Sequence, residues 1–447
     1  MNYETKMRYI VRICLLFSLF IMAYICCGNL YAKDGRPNIL LFTIDACRPD
    51  HFGCYGYSRK LTPNIDRLAG EGALFTNAFS QSAWTTPGMI SIFTSLHPFA
   101  HKVESRGDSL DSQIPTLPEV LKENGYAVPV LPRFVDIPNY WNLGFDVLEK
   151  GKFQGKEGED LLELLHAYKE KRPFFIWYHY HELHLPYDSP DLQSRGIAEG
   201  EGKKPVIESE GISLIKTKPV IKHDSVVFTG EDKSRAVALY DGQLVSLDEY
   251  VGKLIKKLKE WELYENTIII ITSDHGEELF EHGFVGHAST SLNAKLYDEM
   301  IRIPLIIVWP KKISHKRIDA YAQQIDIMPT ILDILDIPTN TQPEGRSLLP
   351  LIEDDQSDWS ATIYCETIMG GYQSTEELRN IRLRCIRTEE WKLIAKNSNE
   401  FDRYELYNLI NDPGEKENVI GKYPDIAIGL KEKLFARIGY GKFSEKE

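Results

Sequence analysis

The chain reads as an α/β protein, a large and mainly parallel sheet covered by helices on both faces, with a small C-terminal antiparallel sheet plus helix. Three observations predict this. Residues 38–45 and 267–274 are apolar, β-branched runs too short for helices, and each ends on a carboxylate, Asp45 and Asp274. Such runs are the mark of strands buried on both faces. From residue 36 to about 345, strand-like runs alternate with helical patterns, which implies a parallel sheet between helices. After Pro350 the pattern changes to short strands.

In chain order, Lys6, Arg8 and Arg12 precede a 15-residue apolar run at 13–27. A membrane span needs about 20 residues, whereas an export signal uses about 7–15. Residues 1–32 therefore read as a signal peptide, with an uncleaved membrane anchor as the alternative. The protein is expected outside the cytoplasm, periplasmic or extracellular. Residues 33–350 form the expected catalytic domain. Within it, residues 173–180 make a further strand leading to His184. Residues 191–235, charged and without motifs, read as an insertion near the cleft that sets substrate choice. Leu244, Leu247, Val251, Leu254, Ile255 and Leu258 recur at helical spacing, giving an amphipathic helix beside the Asp274 strand. A strand at 305–309 is closed by Pro310. Residues 351–447 form a smaller α+β subdomain, with strands at 362–366, 383–387 and 391–395 and a helix near 426–438.

The chemistry gathers around Thr85-Thr86-Pro87. A hydroxyl before a proline that opens a helix faces the free amides of the first turn, where anions bind. Thr85 is then either an N-cap or an oxygen nucleophile. The strand ends decide between these. Ligands of open α/β sheets gather at the carboxyl ends of strands, and an ionised Asp closing an apolar run must be solvated, paired or metal-bound. Asp45, Asp274 and His275 with the Thr85 hydroxyl make a donor set for one divalent cation, Ca, Zn, Mn or Mg.

Asp45-Ala46-Cys47-Arg48-Pro49-Asp50, Thr62-Pro63-Asn64-Ile65-Asp66-Arg67-Leu68-Ala69, Ser95-Leu96-His97-Pro98 through His101 and His184-Leu185-Pro186-Tyr187 carry a resemblance. So do Asp274-His275-Gly276-Glu277, Asp326-Ile327-Met328-Pro329-Thr330, Gly345-Arg346-Ser347-Leu348 and Glu405-Leu406-Tyr407-Asn408 with Asp412-Pro413-Gly414-Glu415. Spanning about residues 36–420 in order, these resemble the motifs of the sulfatase family within the alkaline phosphatase superfamily. The resemblance implies an alkaline phosphatase-like fold and a metal-dependent ester hydrolase. The chain also departs from the family. Thr85 stands where the family has the Cys or Ser that becomes formylglycine, and Met89 stands at the motif's arginine. Ala46 replaces a second metal-binding Asp, and a Lys- and His-bearing segment is missing near residues 129–141. Formylglycine is not expected from Thr, whose secondary carbon would give a ketone. The remaining set resembles superfamily branches in which a plain Thr attacks phosphorus.

The expected reaction is in-line attack by Thr85 on a phosphate mono- or diester, or on a sulfate ester. His184 and His287 are expected to steady the oxygens and protonate the leaving group. Arg48 either binds the anion or pairs with Asp50. The expected substrate is an anionic ester on a glycan, a lipid headgroup or a small molecule. Two other classes stay open, a strict sulfuric ester hydrolase acting on an exported glycan and a non-catalytic anion-binding relative. A formal net charge of −13 excludes a general nucleic-acid binder. In an oxidising compartment, Cys365 and Cys385 could bridge neighbouring strands, while Cys47 and Cys54 read as small core residues. The sequence leaves the oligomeric state open.

Overall fold

The computed structural model describes residues 35–105, 107–131, 143–149, 159–171, 173–188, 208–338, 342–354, 359, 362–373, 375–398 and 402–439. The expected signal segment and residues 191–207 of the expected insertion lie outside these, as do residues 132–141 of the motif-poor stretch.

The central sheet has six strands: β1 Asn38–Ile44, β2 Ala73–Phe79, β3 Phe175–Tyr180, β4 Thr267–Ser273, β5 Arg302–Val308 and β6 Lys316–Gln323. Their order is β6-β2-β5-β4-β1-β3, and only β5 runs against the other five. Every residue of β1, β3 and β4 is buried, so both faces of the sheet centre are covered, as the unbroken apolar runs require. The strand expected at 305–309 begins earlier, at Arg302, and ends at Val308.

Register brings the chemistry to one edge. Thr43 lies opposite His179 on one side and Thr272 on the other, and Ile44 opposite Tyr180 and Ser273. Asp45, His181 and Asp274 therefore leave the sheet together at its carboxyl end. Ser273 pins the tips, its Oγ lying 2.6 Å from Ile44 O and accepting from the Cys47 N–H at 3.0 Å.

The amphipathic helix is longer than its stripe suggests. It spans Gly230–Glu260 and starts at a capping box between Thr229 and Asp232. Leu244, Leu247, Val251, Leu254 and Leu258 are buried, and Ile255 is partly buried. Tyr240 on this helix spans the loop after β1: its hydroxyl donates to Ala46 O and accepts from Arg48 N–H, each at 3.0 Å. Upstream, the Glu210–Thr217 helix buries Ile212 and Ile215, so this part of the expected insertion packs against the core.

Thr85–Thr94 forms a helix, and Pro98–His101 a short one beside it. His101, fully enclosed, joins them: Nδ1 accepts from the Val103 N–H at 3.0 Å and Nε2 lies 3.2 Å from Ser91 Oγ. Burial pushes its pKa down to about 3 from the ordinary 6.5. Between these values the unfolded chain binds a proton that the folded chain does not. Stability is therefore present above pH 6.5 and is lost as pH falls through this window, by up to roughly 5 kcal/mol. Chemical denaturation of His101→Gln at pH 7.5 and 4.5 should show a smaller acid loss than the wild type. An equal loss in both would remove His101 as its source.

The C-terminal sheet is antiparallel in the order β7 Ile363–Ile368, β8 Arg382–Arg387, β9 Trp391–Asn397 and β10 Asp402–Asn408. The fourth strand occupies what the sequence shows only as a closing motif. The Pro424–Arg437 helix buries Ala427, Leu430 and Leu434 against Ile386, Leu393, Ala395 and Leu406 on one face. On the other face Ile363, Cys365, Cys385 and Ile394 pack with Phe79, Ala83 and Trp84, directly under the start of the Thr85 helix. Cys365 and Cys385 face each other in register, yet both thiols are free, and Cys365 Sγ donates to Ser80 O at 3.0 Å. The bridge considered from the sequence is thus not formed. Cys47 is a buried free thiol, as expected, and Cys54 is partly buried.

Candidate active site

The helix carrying Thr85 begins at Thr85 itself. Trp84 is its N-cap and makes no side-chain cap bond, so Pro87 sits at the third helical position, not the first. Proline is still tolerated there, because N–H groups of the first turn have no intrahelical partner. Capping does not account for Thr85. Its hydroxyl points across the sheet edge, with Oγ1 3.4 Å from His275 Nε2, and it is partly exposed where its neighbours are buried. Two glycines permit this packing. A Cβ on Gly88 would lie 2.6 Å from Asp274 O, and one on Gly276 would lie 2.0 Å from Glu299 O.

Asp45, Asp274 and His275 converge as expected. His275 Nε2 lies 3.6 Å from Asp45 Oδ1 and 3.4 Å from Asp274 Oδ2. His275 Nδ1 is 2.7 Å from Gly276 O, so Nδ1 carries the hydrogen and the Nε2 lone pair faces the carboxylates. Asp274 Oδ1 accepts from the Ala46 and His275 amides, at 3.2 and 2.9 Å. Asp45 Oδ1 and Asp274 Oδ2 are buried without a hydrogen-bond partner among the described residues. Two such oxygens beside an imidazole lone pair form a cluster that only a cation or extra protons would satisfy. The donor set fits a divalent ion. Burial opposes charge on Asp45, but the His184, His179 and His181 imidazoles outweigh it and hold the carboxyl well below its usual range.

His287 and His184 border this cluster. The His287 ring centroid is 4.4 Å from that of His275 and 4.9 Å from that of His184. Glu277 Oε1 lies 2.9 Å from His287 Nδ1, and Tyr187 OH donates to Glu277 Oε2 at 3.3 Å. Burial, reinforced by Asp45, pushes Glu277 well above its ordinary range, and burial with His275 and His184 pushes His287 well below 6.5. Burial thus disfavours charge on both groups, and a hydrogen bond joins Glu277 Oε1 to His287 Nδ1, leaving Nε2 turned away from Glu277. The Nε2 atom of His287 has no hydrogen-bond partner among the described residues. His184 Nδ1 lies 2.6 Å from Leu185 O, and its ring is partly exposed.

Arg48 goes the other way. Its guanidinium holds Asp50 through two bonds of 3.0 and 2.7 Å and Glu281 through one of 2.6 Å. The structure commits it to carboxylates, the second of the two sequence readings. Met89, at the position of the family arginine, is fully buried in the core.

Sequence reasoning missed His179, His181 and the role of Glu277. His179 Nε2 lies 3.7 Å from both Asp45 Oδ2 and Asp274 Oδ2, and His181 Nδ1 lies 3.1 Å from Asp45 Oδ2. The available signal was the alternation His179-Tyr180-His181 at a strand end, which puts both rings on one side.

This fold with this site defines an ester hydrolase of the sulfatase type. The Sulfatase family model matches residues 37–337, and the model for N-sulphoglucosamine sulphohydrolase, C-terminal, matches residues 292–438. The chain belongs to the sulfatase family. It is 24% identical over 496 residues to the N-acetylglucosamine-6-O-sulfatase of Bacteroides thetaiotaomicron, covering 91% of this chain and 87% of that one. It is 23% identical over 466 residues to arylsulfatase K of Canis lupus familiaris, covering 92% of this chain and 84% of that one. Among solved structures it is similar to a phosphonate monoester hydrolase of Agrobacterium radiobacter. That match has a TM-score of 0.72 at 23% identity and covers 92% of this chain and 99% of the other. The sulfatase family is metal-dependent, in keeping with the groups gathered around Asp45. Among the described residues no helix is long and apolar enough to cross a membrane.

Proposed function

We propose that the chain is an exported hydrolase of anionic esters, phosphate mono- or diesters ahead of sulfate esters, with the Thr85 hydroxyl as nucleophile. One observation carries this reading: Thr85 Oγ1, uncapped and partly exposed, faces the Asp45–Asp274–His275 cluster at 3.4 Å from His275. Asp45, Asp274, His275 and Thr85 would hold one divalent ion, which lowers the pKa of a bound hydroxyl and neutralises charge on the substrate oxygens. Two imidazole-bearing strand ends favour Zn or Mn over Ca.

Thr85 loses its hydroxyl proton to bulk water and attacks phosphorus in line, and it takes a proton back from water when the phosphothreonine is hydrolysed. The Oγ–P bond forms, the bond to the leaving oxygen breaks, and His287 Nε2–H or His184 protonates that oxygen. Water, deprotonated by the same imidazole, then attacks phosphorus and frees Thr85. Glu277 holds the His287 ring in the tautomer this needs. Phosphorus is preferred over sulfur because a phosphorylated threonine is released by water, whereas a sulfated one has no easy exit. The helix at Glu210–Thr217 and the segment after it would shape the pocket, since Ile221 N bonds Thr290 O and His223 N bonds Ser291 O just past His287.

A second reading, a strict sulfatase, is favoured by the sulfatases named among the relatives. After chelation and reloading with Zn²⁺ or Mn²⁺, turnover of 4-nitrophenyl phosphate, bis(4-nitrophenyl) phosphate and 4-nitrophenyl sulfate separates the two. A phosphorus ester should be turned over fastest. Preferred turnover of the sulfate overturns that order, and no turnover of any ester in the metal-loaded chain overturns the hydrolase reading.

A further inference from the structure

We propose that the cavity between the C-terminal sheet and residues 293–297 binds an oxyanion, held by Lys396 and Arg403. The site lies outside the metal cluster and goes beyond the function proposed above.

Strand alternation puts Lys392, Ile394 and Lys396 of β9 on one face, and Leu393 and Ala395 on the other. Leu393 and Ala395 meet the C-terminal helix, whereas Ile394 packs with the cluster around Trp84. Lys396 therefore turns toward the catalytic domain. Pairing places it between Leu383 on β8 and Arg403 on β10, with Glu405 opposite Ile394 on the same face. Residues 293–297 roof this corner and leave a cavity of about 180 Å³. The roof begins two residues past the Ala288–Ser291 helix that follows His287, and the Ala294 N–H donates to Met369 O at 3.1 Å.

The charges here are not matched by their neighbours. Lys295 is committed to Glu278 Oε2 at 2.5 Å and His282 O at 2.9 Å. Glu405 Oε2 accepts from Tyr297 OH at 3.2 Å and Tyr407 OH at 3.0 Å, so phenols rather than a cation satisfy it. Lys396 is half-buried and has no hydrogen bond or ion pair among the described residues. Like charges directly opposite on antiparallel strands are destabilising. Burial and then Arg403 lower the Lys396 pKa, against the weaker pull of Glu405. An unpaired ammonium facing a guanidinium across a cavity is stabilised by an anion between them. Sulfate, phosphate and carboxylate oxygens all accept charge-assisted hydrogen bonds from both groups, and the planar fork of Arg403 suits each of them.

The test measures anion binding without turnover. Chelator-stripped full-length protein is titrated with sodium sulfate by calorimetry at low ionic strength. The wild type should bind one equivalent, and Lys396→Met should bind roughly tenfold more weakly or worse, the loss of one charge-assisted hydrogen bond. Lys396→Arg, which keeps the charge, should retain binding. Without sulfate, Lys396→Met should melt no lower than the wild type, because it removes a repulsion, so a folding defect would not explain the lost binding. No binding by the wild type, or equal binding by the wild type and Lys396→Met, overturns the site and leaves the proposed hydrolase standing. A second arm, in metal-loaded protein, separates a free anion from a charged group of the substrate. If the site takes a free anion, sulfate changes kcat for 4-nitrophenyl phosphate in the wild type and not in Lys396→Met. If it takes a second charged group of the substrate, sulfate raises the KM of a sugar bisphosphate more in the wild type than in Lys396→Met.

Discussion

Replacing Thr85 with alanine is expected to reduce turnover roughly 10⁴-fold or more, the scale on which hydrolases lose activity when their nucleophile is removed. Metal content should be unchanged, because Asp45, Asp274 and His275 retain their positions. Folding should be little affected, since Trp84 and not Thr85 is the N-cap and the methyl group that remains fills the same place. Thr85→Ser, which keeps the hydroxyl on the same backbone, should recover part of the rate. Steady-state kinetics beside elemental analysis checks all three. Full activity in the alanine variant would leave the site without its nucleophile.

The second large effect lies away from the site. Replacing Lys392 with methionine is expected to destabilise the fold by roughly 3–5 kcal/mol, the cost of leaving buried charges uncompensated. Lys392 is fully buried on β9, with Nζ 2.9 Å from Asp298 Oδ1 and 2.9 Å from Glu415 Oε1. Burial opposes its charge, but Asp298 and Glu415 outweigh this and raise its pKa. Arg387 adds a bond of 2.8 Å to the other oxygen of Asp298. Asp298 opens the short helix that precedes β5 of the central sheet, and Glu415 belongs to the closing Asp-Pro-Gly-Glu motif, its Oε2 accepting the Asp298 N–H at 2.6 Å. The motif therefore clamps the C-terminal sheet under Trp84 and Thr85. Urea unfolding with an unchanged m-value is the measurement. A loss under about 1 kcal/mol would mean the network is solvated. Adding Glu415→Gln to Lys392→Met should recover part of the loss, because Lys392 is the cation that Glu415 faces, whereas Asp298 keeps Arg387.

Particular residues show where sequence reading reached its limit. Asp45, Asp274 and His275 were legible because a carboxylate closing an apolar strand has few physical excuses. The Thr85 hydroxyl was found by its place before a proline, although the helix starts two residues earlier than that proline suggested. Arg48 had two readings, and the sequence could not choose between them, since a guanidinium serves a carboxylate and a phosphate equally well. His179 went unseen inside an apolar run, where alternating rings pass for core aromatics. The fourth C-terminal strand was hidden in a motif whose residues pair only through Trp391–Asn397.

The sequence by itself determined the fold class, the family and three groups of the donor cluster, because these rest on local patterns: burial period, strand-end charge and motif order. The tertiary structure alone decided which imidazoles face Asp45, where the Arg48 charge is spent and why Lys392 is buried. Those outcomes depend on register between strands more than 100 residues apart in the chain, as in the pairing of Thr43 with His179. Local propensity carries no information about such a pairing, which is settled only when the sheet closes and each buried polar atom must find a partner.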